Sequence, residues 1–505
     1  MQFSYLAEAF QIVFVPAHFL ALALATFVGV VVGILPGLTA TMAVALLTGL
    51  TFGFGPVIAV VALIGVYEGA ISGGGQAGIL LNIPGTPASA ATVLDGYPMN
   101  RQGKAGLAIF LATGASMCGT ILAAIFLLFL TPPLAAIGLY FQSYEFFLLA
   151  LFGIVICGNL ASNGDALKGW MAGFLGLLIS MVGLDPIAAL PRFSFDNIMM
   201  RGGLPLIPLM IAIFGIPEIL KVFGKQTAPD SQITKFNVGE GVKILGKNTP
   251  ALLRSGSIGT FMGIIPGVGE DVGGWMSYWA TKSISKTKER FGKGAPEGVI
   301  SVEAGANAAK TGALIPVLSL AIPGSTSAAI LLAAFFMHGH RPGPLLMGED
   351  PGFVYQIAVY FVIAAILMFI FAMGLSRFSV RILKVDKTIL MPIIFTFCAI
   401  GAFLVRYVFF DVRVMFLGGF IGFLLLYARF PAAPLLLGMV LGDMAEANLV
   451  RGMMLSDGSF EPFVTRPISL IFVIVISLLV FTQLPFFGKL VNLVKGRKKN
   501  PEEEK

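Results

Sequence analysis

The sequence predicts an all-α, polytopic membrane protein made of two inverted-topology repeats with re-entrant helical hairpins broken at Pro-Gly. Three observations carry that prediction. Of 505 residues, 57% are hydrophobic and only 12% charged, about half the charged share of a soluble domain. Apolar runs recur from end to end, as at Ala105–Leu130, Phe146–Leu160, Val354–Met373 and Ile468–Leu484. Runs of about 20 residues suffice to cross a bilayer as helices, and their continuity excludes the alternation of a membrane β-barrel. Finally, Pro-Gly breaks inside such runs come in pairs. G-I-L-P-G at Gly33–Gly37 matches G-I-I-P-G at Gly263–Gly267, and N-I-P-G-T at Asn82–Thr86 matches A-I-P-G-S at Ala321–Ser325.

From Met1 to Asn100 there is no Lys or Arg, and the formal charges are Glu8, Glu68 and Asp95. Cytoplasmic loops are rich in Lys and Arg, so the loops of this stretch are expected on the opposite side. Met1–Leu20 has no basic start, and Glu8 and Gln11 interrupt it, so it does not read as a cleaved signal peptide. Arg101 and Lys104 mark the first cytoplasmic loop. Spans over 105–220 are expected to be jointed at T-P-P (Thr131), S-N-G-D (Ser162) and Asp185–Gly203. These spans close the first repeat, residues 1–220.

Residues 221–254 form a polar linker containing Lys221, Lys225, Lys235, Lys243, Lys247 and Arg254, with Asn248-Thr249-Pro250 starting the next helix. The second repeat covers 255–488. Basic residues flank the Pro266-Gly267 break on both sides, so Ser255–Thr281 reads as a hairpin opening to the cytoplasm. The Pro36 copy has no basic flank and is expected to open to the other face, as inverted repeats require. Residues 489–505 form a basic, polar cytoplasmic tail. The net charge of +7 follows from these loops and implies topology rather than nucleic-acid binding.

The registers agree between halves. Gly33 and Gly29 pair with Gly263 and Gly259 at an offset of 230, Pro84 with Pro323 at 239, and Arg101 with Arg341 at 240. Ordered matches at near-constant spacing indicate duplication.

A Pro-Gly break frees backbone N–H and C=O groups that must meet protein, water or ligand. A restarting half-helix offers N–H groups to an anion, and an ending one offers carbonyls to a cation. The candidate site is therefore Pro36, Gly37 and Thr39; Asn82, Pro84, Gly85, Thr86 and Ser89; Pro266 and Gly267; and Pro323, Gly324, Ser325, Thr326 and Ser327. The hydroxyl residues can donate to a carboxylate or coordinate a cation. The bland alternative for any one break is a proline kink with locally satisfied Ser/Thr. Glu270 and Asp271 after the second hairpin tip, and Glu303 with Asn307 one helical turn on, add carboxylates at membrane depth, where such groups bind cations or protons.

Other features carry less. Cys118, Cys157 and Cys398 lie in apolar runs without ligand spacing. His338 and His340 lack a third metal ligand nearby. Gly73–Gly75 has no following Lys-Ser/Thr, and no Walker A pattern occurs, so ATP hydrolysis by this chain is not expected. Trp275 and Trp279 fit an interfacial belt.

The motifs G-I-L-P-G-L-T-A-T, L-N-I-P-G-T-P-A-S-A, G-I-I-P-G-V-G-E-D, A-P-E-G-V-I-S-V-E-A-G-A-N-A-A-K-T-G, L-A-I-P-G-S-T-S-A-A, H-R-P-G-P-L-L and L-G-D-M-A-E-A-N-L-V-R-G-M-M together resemble the large membrane subunit of the tripartite tricarboxylate transporter family, TctA. The resemblance spans nearly the whole chain. It implies a secondary transporter of the bacterial inner membrane that imports citrate-like or other small carboxylates, coupled to Na⁺ or H⁺, with no tightly bound cofactor. It also implies a small four-helix membrane subunit and a periplasmic solute-binding protein as partners, a homodimer as one oligomeric option, and elevator-type motion. The chain departs from the expected pattern at Glu68 and at Gly305-Ala306, which bears on coupling ion and substrate preference. The competing classes are an intramembrane enzyme using Glu270/Asp271 or the histidine pair, and an ion channel.

Overall fold

The computed structural model describes residues 2–35, 38–161, 165–185, 187–221, 237–383 and 387–483. The N-terminal half holds α1 (Gln2–Val13), α2 (Pro16–Ile34), α3 (Ala40–Leu50), α4 (Pro56–Leu81), α5 (Thr92–Arg101), α6 (Ala105–Gly138), α7 (Ser143–Ala161) and α8 (Ala166–Ser180). A two-stranded ribbon, β1 (Gly183–Leu184) and β2 (Pro191–Arg192), then leads through α9 (Ile198–Arg201) to α10 (Leu206–Lys221). The C-terminal half holds α11 (Val238–Lys247), α12 (Thr249–Ile264), α13 (Gly269–Ile284), α14 (Pro296–Gly312), α15 (Leu314–Leu320), α16 (Thr326–Met337) and α17 (Leu346–Glu349). It continues with α18 (Pro351–Ile382), α19 (Lys387–Leu404), α20 (Phe409–Tyr427), α21 (Ala432–Leu455), α22 (Glu461–Thr465) and α23 (Pro467–Gln483).

Among the described residues, seven helices are long and apolar enough to cross a membrane: α2, α4, α6, α7, α18, α20 and α21. The protein is therefore an all-α, multi-pass membrane protein. Of the expected linker, residues 222–236 lie outside the described residues, as does the 489–505 tail. The T-P-P joint expected at Thr131 is corrected: α6 runs through Pro132 and Pro133 to Gly138. Each proline removes one donor from the helix ladder. Such breaks are tolerated in membrane helices where neighbouring protein shields the freed carbonyls.

Small residues set the central packing. Gly29 faces Val66 and Ala70, Gly33 faces Ala70 and Gly73, and Gly65 faces Leu22 and Thr26. Residue numbers rise together along α2 and α4, so the two helices are parallel and α3 must return between them. Helices α2 and α3 thus run in opposite directions rather than as one kinked crossing. The same contacts recur in the other half: Gly259 faces Gly305 and Gly263 faces Ala309, making α12 and α14 parallel with α13 returning. Ser277 Oγ donates to Ser255 O at 3.1 Å, which closes that hairpin over the expected Ser255–Thr281. Contacts this close are open only to glycine, and they let membrane helices associate without a hydrophobic drive.

The halves interlock. The central helices α4 and α14 run antiparallel, with 68 opposite 310, 72 opposite 307 and 75 opposite 303. Helix α6 packs on α14, α18 on α4, and α6 and α18 on each other. At the periphery α10 packs on α19 and α20 of the other half, whereas α21 packs on α7 and α8. The loop before α14 is fastened to α5 by the buried Asp95. Its carboxylate accepts the N–H groups of Gly292, Gly294 and Ala295 at 2.8–2.9 Å and the Tyr278 hydroxyl at 3.0 Å.

Candidate substrate and ion site

Both second breaks have one local geometry. Helices α4 and α15 end at Asn82 and Ala321 in the left-handed region, φ 61° and 58°. The Gly85 N–H donates to Gly74 O, and the Gly324 N–H to Ala313 O, each at 3.3 Å. A Cβ on Gly85 would run into the Gly33 carbonyl, and one on Gly324 into the Gly263 carbonyl. Each Pro-Gly break therefore seats its glycine against the end of the hairpin helix that precedes it. Glycine is required there by close approach of backbone.

The restarts differ. Ser325 Oγ accepts the Ala328 N–H at 3.2 Å and caps α16. Thr86 makes no such cap. Instead Thr86 and Ser89, both buried, exchange a hydroxyl hydrogen bond at 3.0 Å against Gly74. Asn82 is exposed at the break.

Pro36 and Gly37 lie outside the described residues. After them Thr39 caps α3 by accepting the Met42 N–H at 3.1 Å. Pro266 lies against Gly153 of α7, and Gly267, at φ 75°, lies against Cys157 of the same helix. Gly269 touches Ser325, which brings the second hairpin tip onto the start of α16.

Four elements meet at Glu270. Its carboxylate accepts the Tyr67 hydroxyl at 3.2 Å and the Ser327 hydroxyl at 3.1 Å. Ser327 pairs with Thr41 of α3 at 2.9 Å, Thr41 lies 3.4 Å from Thr326, and Tyr67 lies 3.3 Å from Ser325. Glu270 is buried at the positive end of α16, where a carboxylate is favoured. Asp271, its neighbour, is exposed. Asp271 has no hydrogen-bond partner among the described residues. The two adjacent carboxylates thus differ in burial and in partners.

A second polar cluster fills the α4–α14 seam. Lys310 Nζ pairs with Glu68 Oε2 at 2.5 Å, both side chains fully buried, and also donates to Asn307 Oδ1 at 2.9 Å. Thr120 of α6 donates to Glu68 at 3.1 Å, and Ser72 to Asn307 Oδ1 at 2.8 Å. Asn307 Nδ2 donates to Ser116 Oγ at 2.9 Å and faces Glu303 Oε2 at 3.4 Å. Glu303 also takes Thr92 at 2.6 Å and Ser116 at 3.0 Å. Lys310 lies within electrostatic range of Glu270, which links the two clusters.

Sequence reading named Glu303 and Asn307 but missed Lys310, and it noted Glu68 as an intramembrane carboxylate and a departure from pattern without placing it in the site. The signal was present. Residues 303, 307 and 310 share one helical face, and a lysine inside an apolar stretch needs a buried partner. Tyr67, Ser72, Thr92, Ser116 and Thr120 carry no such signal, because their roles depend on which helices face the seam.

The histidines stay apart from these carboxylates. His340 stacks on Phe353 and pairs with Asp350 at 3.5 Å, and hydrogen bonding to His340 holds the Asp350 carboxyl below its usual range. His338 Nε2 has no partner among the described residues. No group of three or more His, Cys, Asp or Glu able to hold a metal occurs among the described residues. All three cysteines are free.

The comparisons with known proteins converge on one family. The profile described as "Tripartite tricarboxylate transporter TctA family" matches residues 19–437. The chain is 34% identical over 467 residues to the "Uncharacterized 52.8 kDa protein in TAR-I ttuC' 3'region" of Agrobacterium vitis, covering 92% of this chain and 93% of that protein. It is 35% identical over 211 residues to the "Uncharacterized protein in TAR-II ttuC' 3'region" of the same organism, covering 42% of this chain and 87% of that protein. No solved structure matches.

Proposed function

The chain belongs to the tripartite tricarboxylate transporter TctA family, and from that premise we propose that it imports citrate-like tricarboxylates or other small organic carboxylates by cation symport. It is a membrane subunit of a transporter rather than an enzyme. The finer reading assigns it to the bacterial inner membrane, beside a small four-helix subunit and fed by a periplasmic solute-binding protein. The halves 1–220 and 255–488 are read as inverted repeats, with the loops at Arg101–Lys104 and 285–295 on the cytoplasmic side.

One observation carries the reading. The two Pro-Gly breaks reproduce each other contact for contact, Gly85 on Gly33 and Gly324 on Gly263, on central helices that run in opposite directions. Such a pair of breaks on opposed helices supports a site built near the bilayer midplane by broken helices from two halves. Within it, Thr86 and Ser89 suit a substrate carboxylate. Ser325, Thr326 and Ser327 offer further hydroxyls to it, and Glu270, within electrostatic range of Lys310, ties this site to the buried charges that suit the coupling cation. An elevator motion would carry this unit against the peripheral helices.

The test is uptake of labelled citrate and succinate into proteoliposomes holding the assembled transporter and its binding protein, under a Na⁺ or a pH gradient. Accumulation above the gradient-free level is expected with at least one carboxylate. No uptake under any pairing would overturn the reading, and flux that never saturates would favour a channel.

A further inference from the structure

Resting on the importer reading, we propose that the α4–α14 seam is the proton-binding element of transport, with Glu303 as the carboxyl that takes up the proton and Lys310 as the group that keeps Na⁺ out. The first observation is a charge mismatch. The seam holds two carboxylates, Glu68 and Glu303, and one ammonium, Lys310, all at most 1% exposed. Lys310 spends its ion pair on Glu68 at 2.5 Å. Glu303 receives only neutral donors: Thr92, Ser116 and Asn307. Lys310 reaches Glu303 only through space, its ion pair being with Glu68; a buried carboxylate without a cation of its own is costly, and a proton removes that cost.

The second observation decides between a proton and Na⁺. Lysine has donors and no acceptor. Its hydrogen bond to Asn307 therefore identifies the atom it meets as the amide oxygen, which the Ser72 hydroxyl also engages. The amide nitrogen must then face Glu303 and Ser116. Na⁺ needs oxygen ligands, and here the nearest amide offers N–H instead. A proton meets no such obstacle. The 2.6 Å contact between Thr92 and Glu303 fits a hydroxyl donating to a carboxylate, and equally a carboxylic acid donating to the hydroxyl oxygen. Both charge states fit without moving a heavy atom.

The surroundings leave Glu303 as the group free to titrate. From α4 it faces Glu68, already paired with Lys310. From α13 come Glu270, held by Tyr67 and Ser327, and Tyr278, bound to Asp95 of α5. Helix α6 presents Ser116 and Thr120, with Cys118 packed among apolar side chains. Helix α12 contributes Arg254, which is directed at Thr281.

The experiment uses proteoliposomes of the assembled transporter with a pH-sensitive dye inside, Na⁺-free buffer, and a pH at which citrate is fully ionised. Citrate is the probe, with succinate in parallel. Carboxylate addition is expected to acidify the lumen, at a fixed ratio of protons to carboxylate. In Glu303→Gln that ratio should fall at least fivefold. In the double variant Glu68→Gln/Lys310→Met the amide of Asn307 is released, and uptake should become Na⁺-stimulated. Uptake driven by Na⁺ without acidification in the wild type overturns the proposal, as does an unchanged ratio in Glu303→Gln. Wild-type protein that moves neither carboxylate under any gradient instead overturns the importer reading on which it rests.

Discussion

Replacing Lys310 with Met lowers the unfolding midpoint of the detergent-purified protein more than any other single change at the seam. Removing one partner of a buried ion pair leaves the other charge uncompensated, at a cost of about 3–5 kcal/mol. Glu68 would keep only the Thr120 hydroxyl. Asn307 would lose one of the two donors to its amide oxygen. Glu68→Gln alone should also destabilise, because it strands the ammonium. The double variant Glu68→Gln/Lys310→Met should recover most of the loss, since replacing both members of such a pair is often near neutral. The cycle is read as the shift of the thermal midpoint in the four proteins. Additive losses, with no recovery in the double variant, would show that Glu68 and Lys310 act separately.

Adding one methyl group at Gly85 or at Gly324 is expected to cripple transport equally. Each Cβ would meet a backbone carbonyl, Gly33 O or Gly263 O, and neither hairpin helix can yield without moving its partner. Overpacking of this kind costs about 1–3 kcal/mol, and here the strain falls on the break itself. Carboxylate uptake in Gly85→Ala and Gly324→Ala should drop about tenfold or more. Gly374→Ala, on α18 with nothing within 4 Å of its Cβ, should transport as the wild type does. Initial uptake rates normalised to reconstituted protein check this. Full activity in one of the two break variants would contradict their equivalence.

Much of this architecture is legible in the sequence because glycine and proline carry it. The offset of 230 between Gly33 and Gly263 reappears as one contact made twice, and so does the offset of 239 between Pro84 and Pro323. The hairpin over Ser255–Thr281 follows from its basic flanks, and the N-T-P start of α12 from proline's preference for a first helical turn. What could not be read was partnership. Nothing local to Lys310 says that α4 lies antiparallel to α14 and brings Glu68 to it. Nothing around Thr41 announces Ser327, 286 residues away. The Thr131-Pro132-Pro133 joint misled for the converse reason. Proline removes donors locally, whereas continuation of α6 depends on the surrounding protein.

At the offset of 230, Glu270 and Asp271 correspond to Ala40 and Thr41 of the first hairpin, and partnership separates them too. Glu270 is held by Tyr67 and Ser327, whereas Asp271 is exposed. Thr41 has meanwhile crossed to the other half to meet Ser327. The two hairpins thus differ in charge at matching positions.

Contact of both breaks with the transported carboxylate is the core of the proposed mechanism. It is tested most directly by the half-saturation concentration for citrate exchange across proteoliposomes. The comparison is between the wild type, Thr86→Val/Ser89→Ala and Ser325→Ala/Ser327→Ala. Loss of buried hydrogen bonds to a charged group costs about 1.5–3 kcal/mol, so both double variants should need at least about tenfold more citrate. Half-saturation unchanged in either variant, at normal rates, would contradict it.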